Sequence, residues 1–392
     1  MIPIDFSLLE PLGRLTTRPW ASEVTGLQID SRRIEEGDLF VAVSGGADFT
    51  AHALARGAAA VLVPDDAHGA LATIAGAVRD RSSARVVGIT GSTGKTTTKD
   101  ILAALCSPHL RTVASEANYN NELGVPLTLC RIEADTEVCI VEMGMRGLGQ
   151  IAWLASFAKP DIALITNVGP VHLELVETIE NVARAKAELI DALPPGGVAV
   201  VPEEPLLEPY LTRGDIEVRR FRRDVPFATS YTARHQLDNT RAALAVCDVL
   251  GVPVPSRLDV EFTPLREEEH ELADGVLLLN DCYNANPLSM RAALAHLAER
   301  AGERRRLAVL GEMAELGPGA AGFHEEVGRQ AAELGVEVIA VGPLARGYGG
   351  RHVADAEEAA AAVVDVLRPG DVVLVKGSRS VGLEAVAEKL RS

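Results

Sequence analysis

Arg85-Val86-Val87-Gly88-Ile89-Thr90-Gly91-Ser92-Thr93-Gly94-Lys95-Thr96-Thr97 is the stretch on which the reading of this chain turns. Residues 85–90 form an apolar run of strand length, and a helical pattern begins at Lys95 and continues to Cys106. A buried strand, a glycine turn and a helix, in that order, make a phosphate site. The glycines let backbone N–H groups close on phosphate oxygens, the helix N-terminus adds positive potential, and a lysine supplies a mobile cation. Gly91, Ser92, Thr93, Gly94, Lys95, Thr96 and Thr97 are therefore the expected contacts to a nucleoside triphosphate, with the Thr96 hydroxyl on its magnesium ion. The spacing departs from G-x-x-x-x-G-K-[ST], because Ile89 stands where the first glycine would be. A glycine-rich turn carrying a solvent lysine would lack the flanking strand and helix.

Outward from this stretch, short apolar runs alternate with helical patterns, which predicts α/β layering. Further core strands are expected at 138–142, 162–166 and 197–201, and helices between them imply a mostly parallel sheet. Upstream, a polar break at 79–83 closes a first block with strands at 38–43 and 59–63 and a helix at 51–57. Downstream, Gly251-Val252-Pro253-Val254-Pro255 punctuates a linker. Beyond it, strands are expected at 275–280, 306–310, 336–341 and 371–375, with helices at 289–300, 323–334 and 357–367. The predicted organisation is three domains, 1–83, 84–252 and 253–392: a small α/β unit, a central P-loop-type unit with a mostly parallel sheet, and a Rossmann-like unit.

A length of 392 residues fits two or three domains, and 47% hydrophobic residues are enough for full cores. The formal net charge of -17 repels polyanions, which argues against nucleic acid as a partner. The start is acidic at Asp5 and Glu10 and does not read as a signal peptide, and the apolar runs are too short to span a bilayer. No membrane insertion is expected. Cys106, Cys130, Cys139, Cys247 and Cys282 are scattered, which suggests neither a zinc site nor a disulfide framework and fits a reducing compartment. The expectation is a cytoplasmic protein acting as a monomer.

Ligands of open α/β sheets collect at the carboxyl ends of strands, which would bring Glu142 beside the phosphate loop as a hard oxygen ligand for magnesium. His172 follows the next strand on the same rim; a loop histidine can equally be a surface or packing residue. Lys186, in Ala183-Arg184-Ala185-Lys186-Ala187-Glu188, reads from these residues alone as an ordinary helix-surface lysine. Asn118-Tyr119-Asn120-Asn121-Glu122-Leu123-Gly124-Val125-Pro126 is either turn chemistry or a polar loop that orients a substrate.

These segments, residues 90–97, 118–126, 142–144, 166–172 and 185–188, resemble successive motifs of the Mur ligases. Asp281-Cys282-Tyr283-Asn284-Ala285-Asn286-Pro287-Leu288-Ser289-Met290 is similar to one branch of that family, as are residues 309–317 and Val375-Lys376-Gly377-Ser378-Arg379. The resemblance runs in order from about residue 27 to 383 through all three blocks. It implies a domain that grips a uridine nucleotide, a central ATPase domain and a Rossmann-like C-terminal domain. It implies that ATP is cleaved to ADP and phosphate while D-alanyl-D-alanine is added to a UDP-linked muramoyl tripeptide. The lysine matching Lys186 is carbamylated in the family and helps hold a second magnesium with the residues matching Glu142 and His172, which reverses the bland reading of Lys186. By the same resemblance Asn239 lies near adenine, Arg266 and Asp281 reach ATP, and Ser31 and Arg32 belong to the uridine region. Asn120 and Asn121 are expected at the substrate, and Lys95, His172 and Lys186 at the chemistry.

The chain departs from the family pattern at residues 48–52, where Asp-Gly-His is usual, at Gln236 for asparagine and at Leu265 for glycine. Residues 202–233 are shorter than the family norm, so central strands could be trimmed there. Two other readings carry through: a related ligase for another substrate, such as a folylpolyglutamate-type enzyme, and a nucleotide-binding regulator that no longer catalyses.

Overall fold

The computed structural model describes residues 1–221 and 224–392, so Arg222 and Arg223, inside the short 202–233 segment, lie outside the described residues. The N-terminal part holds β1 (Ile4–Asp5), β2 (Gly13–Thr17), β3 (Glu23–Val24), β4 (Gly26–Gln28), β5 (Asp38–Val41) and β6 (Ala60–Pro64). The last three run parallel in the order β6-β5-β4, with β2 antiparallel at the edge; β1 and β3 form a separate pair.

The central sheet comprises β7 (Arg85–Thr90), β8 (Thr112–Ala114), β9 (Val138–Glu142), β10 (Ile162–Ile165), β11 (Val198–Val201) and β12 (Glu217–Arg220). Its order is β12-β11-β10-β7-β9-β8 and every pairing is parallel. The continuous apolar runs reflect burial on both faces, since alternate residues enter opposite cores. Val86, Cys139, Val141, Ala163 and Ile165 face one core, whereas Val87, Ile89, Ile140, Ile162 and Leu164 face the other. β7 lies between β9 and β10, so the phosphate loop leaves the middle of the sheet.

After a short parallel pairing of β13 (Ala228–Thr229) with β14 (Arg257–Leu258), the third sheet is built from β15 (Glu268–Glu271), β16 (Leu277–Asp281), β17 (Arg306–Gly311), β18 (Val336–Val341), β19 (Arg351–Val353) and β20 (Val372–Lys376). Its order is β15-β16-β20-β17-β18-β19, parallel except for the β15 edge. Leu277, Ala308, Leu310 and Leu374 face one core, and Leu278, Leu307, Val309 and Val373 the other.

The polar break at 79–83 is a junction rather than a gap. Arg79 donates to the carbonyls of Ala158 and Lys159 and to Asp161 Oδ2 at 2.9 Å. Leu39, Leu62, Leu71 and Ile74 of the first block share one apolar core with Val86, Phe157 and Leu189 of the second. Residues just beyond the expected 252/253 border still pack on the central body. Leu258 belongs to the core of the central sheet, with Val260 and Phe262 packed against it, and Thr263 N–H donates to Asp100 Oδ2 at 2.9 Å. The chain therefore leaves the central body near Leu265.

Candidate active site

The helix Lys95–Cys106 begins where the sequence places it, after Gly94 at φ +75. A side chain at Gly94 would meet Asn239 Oδ1 at 2.4 Å, so glycine is required both by backbone conformation and by the close approach of the 234–250 helix. The loop is braced from β10: Asn167 Oδ1 accepts from Thr93 N–H at 2.9 Å, Thr166 Oγ1 donates to Thr93 O at 2.6 Å, and Ser92 Oγ accepts from Gly169 N–H at 2.8 Å. Lys95 Nζ donates to Gly91 O at 2.8 Å, and burial, with Arg266 adding repulsion, lowers its pKa.

Thr96 Oγ1 donates to Glu142 Oε2 at 2.8 Å, and Asn120 Nδ2 donates to Glu142 Oε1 at 2.8 Å. Glu142, at the end of β9, is only 1% exposed, so both its oxygens are committed to loop partners. This resolves the asparagine loop. Asn120 reaches the buried carboxylate, whereas Asn121 Oδ1 accepts from Gly124 N–H at 3.0 Å and serves the turn, though both line the cleft.

Lys186 corrects the surface reading. It is 1% exposed, on the inner face of the amphipathic helix Ile179–Asp191. Burial first, then the charge of Lys95, pushes its pKa well below the ordinary lysine range. His172, half-buried, has its pKa lowered by burial, against the opposing pull of Glu315, and it feels the charges of both Lys95 and Lys186. Glu142, His172 and the loop share one cleft of about 1290 Å³; Lys186 does not line it, and bears on it through its charge at His172 and that of Lys95 at Lys186.

The third body closes the other side of this cleft. Arg266 stacks on the Tyr283 ring at 4.1 Å, Asp281 pairs with the buried Lys376, and Lys376 Nζ also donates to Asn284 O at 3.0 Å. Asn286 caps the helix Pro287–Ala301 and reaches Ser92 O at 3.5 Å. Leu265 has φ +64, which explains why glycine suits that position. Lys376, Asn286 and Asn167 lie inside quoted motifs without having been singled out. Their signal was position: Lys376 and Asn167 stand at or just after the end of a strand, and Asn286 is the N-cap of a helix.

Ser31 and Arg32 do not reach this cleft. Ser31 Oγ pairs with His52 Nδ1 at 2.9 Å, and Arg32 forks onto Asp30, with its Nη2 2.7 Å from Asp30 Oδ2. His52, in the segment that departs from the family pattern, is thus still tied to the region it would serve.

Among the described residues no cluster of three His, Cys, Asp or Glu is arranged to hold a metal. The adjacent Thr96 hydroxyl and Glu142 carboxylate nevertheless suit an ion that takes few protein oxygens and completes its shell with phosphate and water. The donor set fits.

A three-body α/β architecture with a braced phosphate loop facing a Rossmann-like partner defines a nucleotide-dependent ligase. Matches to known families agree: the Mur ligase family catalytic domain over residues 23–104, the Mur ligase middle domain over 89–219, and the Mur ligase glutamate ligase domain over 266–379. The chain belongs to the Mur ligase family. It is 35% identical to the UDP-N-acetylmuramoyl-tripeptide–D-alanyl-D-alanine ligase of Synechocystis, over 94% of this chain and 92% of that one. It is 32% identical to the Escherichia coli ligase of the same name, with 92% of each covered. Among solved structures, MurF from Acinetobacter baumannii superposes with a TM-score of 0.87 at 26% identity over 99% of each chain. MurF from Thermotoga maritima in complex with ADP gives 0.81 at 29% identity, over 93% of this chain and 97% of that one. A Mycobacterium tuberculosis folylpolyglutamate synthase, at 17% identity and a TM-score of 0.62, over 82% of this chain and 96% of that one, shares the fold alone.

Proposed function

We propose that this protein is the ATP-dependent ligase that joins D-alanyl-D-alanine to a UDP-linked muramoyl tripeptide in peptidoglycan precursor synthesis. The observation that carries the proposal is the convergence of the phosphate loop, Thr96–Glu142 and His172 on one cleft that residues of the third body also line, with Lys186 buried close enough to bear on His172. Full-length relatives bearing that name support the choice of substrate.

A carboxylate is a poor electrophile. Transfer of the γ-phosphoryl group from ATP to the tripeptide carboxylate makes an acyl-phosphate, and the amine of D-alanyl-D-alanine then attacks it, releasing phosphate. The loop amides and Lys95 stabilise charge on the transferring group by position and electrostatics. Asn239, beside Gly94, bounds the nucleotide on the side of the adenine, and Arg266 and Asp281 meet it from the third body. Closure of that body keeps water from the acyl-phosphate. Magnesium, held by Thr96 and Glu142, would neutralise phosphate charge. Lys186, buried and held towards its neutral form, suits carbamylation: its amine adds carbon dioxide, loses a proton and becomes an anionic oxygen ligand beside His172. Ser31, Arg32 and the His52 contact belong to the uridine end, so the substrate spans from the first body to the cleft.

No described helix is long and apolar enough to cross a membrane. The proposed enzyme is a monomer acting in the cytoplasm, where the ATP-dependent step would take place. A phosphate-release assay across a panel of acceptor amines and carboxylates tests the reading. Release that requires both the UDP-linked tripeptide and D-alanyl-D-alanine is expected; release with a folate and glutamate instead would transfer the protein to the folylpolyglutamate-type reading.

A further inference from the structure

We propose that Glu315 is a positioning residue that fixes the tautomer of the His172 ring from across the domain interface, so that the ring is set only when the third body is docked. The inference rests on the ligase reading and adds to it a residue that reading does not use.

His172 belongs to the central body, at φ +52, ahead of the short helix Leu173–Val176. Glu315 belongs to the loop that follows β17 and has φ +61. Its Oε2 meets His172 Nδ1, and its Oε1 lies 3.7 Å from Arg146 Nε. An ionised carboxylate only accepts hydrogen bonds, so Nδ1 carries the proton and Nε2 keeps its lone pair. A lone pair on Nε2 lets the imidazole act as an acceptor or ligand at the cleft, whereas the other tautomer would aim an N–H there.

The contact is built rather than incidental. Left-handed conformations are unfavourable for both side chains and persist only where surrounding contacts impose them. Glu174 N–H donates to Glu315 O at 3.3 Å, and Gly317 packs so closely that a side chain there would come within 3.1 Å of Glu174 Cα. On its own side the loop is pinned by buried His324, whose Nε2 accepts from Met313 N–H at 3.0 Å while Nδ1 donates to Ala320 O at 2.7 Å. Ser378 Oγ accepts from Ala314 N–H at 2.9 Å. Carboxylates that orient a ligating histidine typically matter about 10–100-fold.

The test is side-chain nitrogen NMR on protein labelled with [15N]histidine at pH 8, with His172 identified by the signals lost in His172→Gln. Wild type is expected to show His172 with its proton on Nδ1. Glu315→Ala should shift the proton towards Nε2, and Glu315→Gln, whose amide oxygen still accepts, should retain the wild-type pattern. In steady-state assays Glu315→Ala should lower kcat about 10–100-fold with a much smaller change in KM for ATP, and Glu315→Gln should recover most of the loss. A wild-type His172 protonated on Nε2, or a tautomer unmoved by Glu315→Ala, overturns the proposal. The tautomer is read without turnover, so a wild type that shows no ligation would count against the function and not against this contact.

Discussion

Gly94 and Asn239 sit against each other at the mouth of the phosphate loop, 2.4 Å from where a side chain on Gly94 would begin. Gly94→Ala must therefore strain the backbone and displace Asn239. The variant should lose about 1–3 kcal/mol in urea titration and bind ATP more weakly; unchanged stability and affinity would mean the loop is not held as described. Lys95→Ala should fold normally by circular dichroism yet lose ATP-dependent ligation by about 100-fold or more. Lys186→Ala should also be inactive, and a small carboxylic acid in the buffer should partly restore it; full activity without rescue would remove the carbamate role. Residue identity foretold the loop well, because glycine, lysine and threonine are each demanded by phosphate geometry. Lys186 was opaque to its own sequence context. Ala-Arg-Ala-Lys-Ala-Glu is a helix pattern, and which lysine faces inward is decided by the sheet that the helix covers.

Helix Ile179–Asp191 reaches its place by lying over β7 at Gly88, where an added side chain would meet Leu189 Cδ1 at 2.9 Å. Gly88→Val should push this helix, and Lys186 with it, away from the sheet. A loss of about 1–3 kcal/mol is expected in chemical denaturation, as for other overpacked cores, together with reduced turnover. The core strands and the helix Lys95–Cys106 were legible because burial on both faces writes itself as an apolar run. β8 and β12 were not. Glu217-Val218-Arg219-Arg220 is a polar edge strand, and edges carry charge that hides them from a hydrophobic pattern. That strand, parallel to β11, also shows that the shortened 202–233 segment still contributes to the central sheet. Glu315 lies inside the 309–317 motif, but its role could not be read there, since its meaning lies in a loop from one sheet meeting a loop from another.

At the scale of the whole molecule, the first two bodies share a core, whereas the third meets the second largely through polar contacts around the cleft. One of these is His235 Nε2 with Glu267 Oε1 at 3.0 Å. Burial alone would lower the His235 pKa, but the charge and hydrogen bond of Glu267, with Asp281 adding to them, outweigh it and the value is raised. A raised histidine pKa contributes stability that is complete below the unfolded value near 6.5 and fades as pH rises through the folded one. The melting temperature of wild type should thus exceed that of His235→Gln most at pH 6, and the gap should shrink towards pH 9; a gap that widens with pH would contradict the pair. The three-body plan was readable from alternating patterns, but the packing at its junctions was not, because a polar stretch such as 79–83 looks the same whether it is a linker or a packed junction.

The most direct measurement is the mass of the product after incubation with ATP, the UDP-linked muramoyl tripeptide and D-alanyl-D-alanine. The convergent cleft predicts a single new species heavier by one D-alanyl-D-alanine less water, formed in step with ADP and phosphate. ATP cleavage with the tripeptide recovered unchanged, or no cleavage at all, would contradict it.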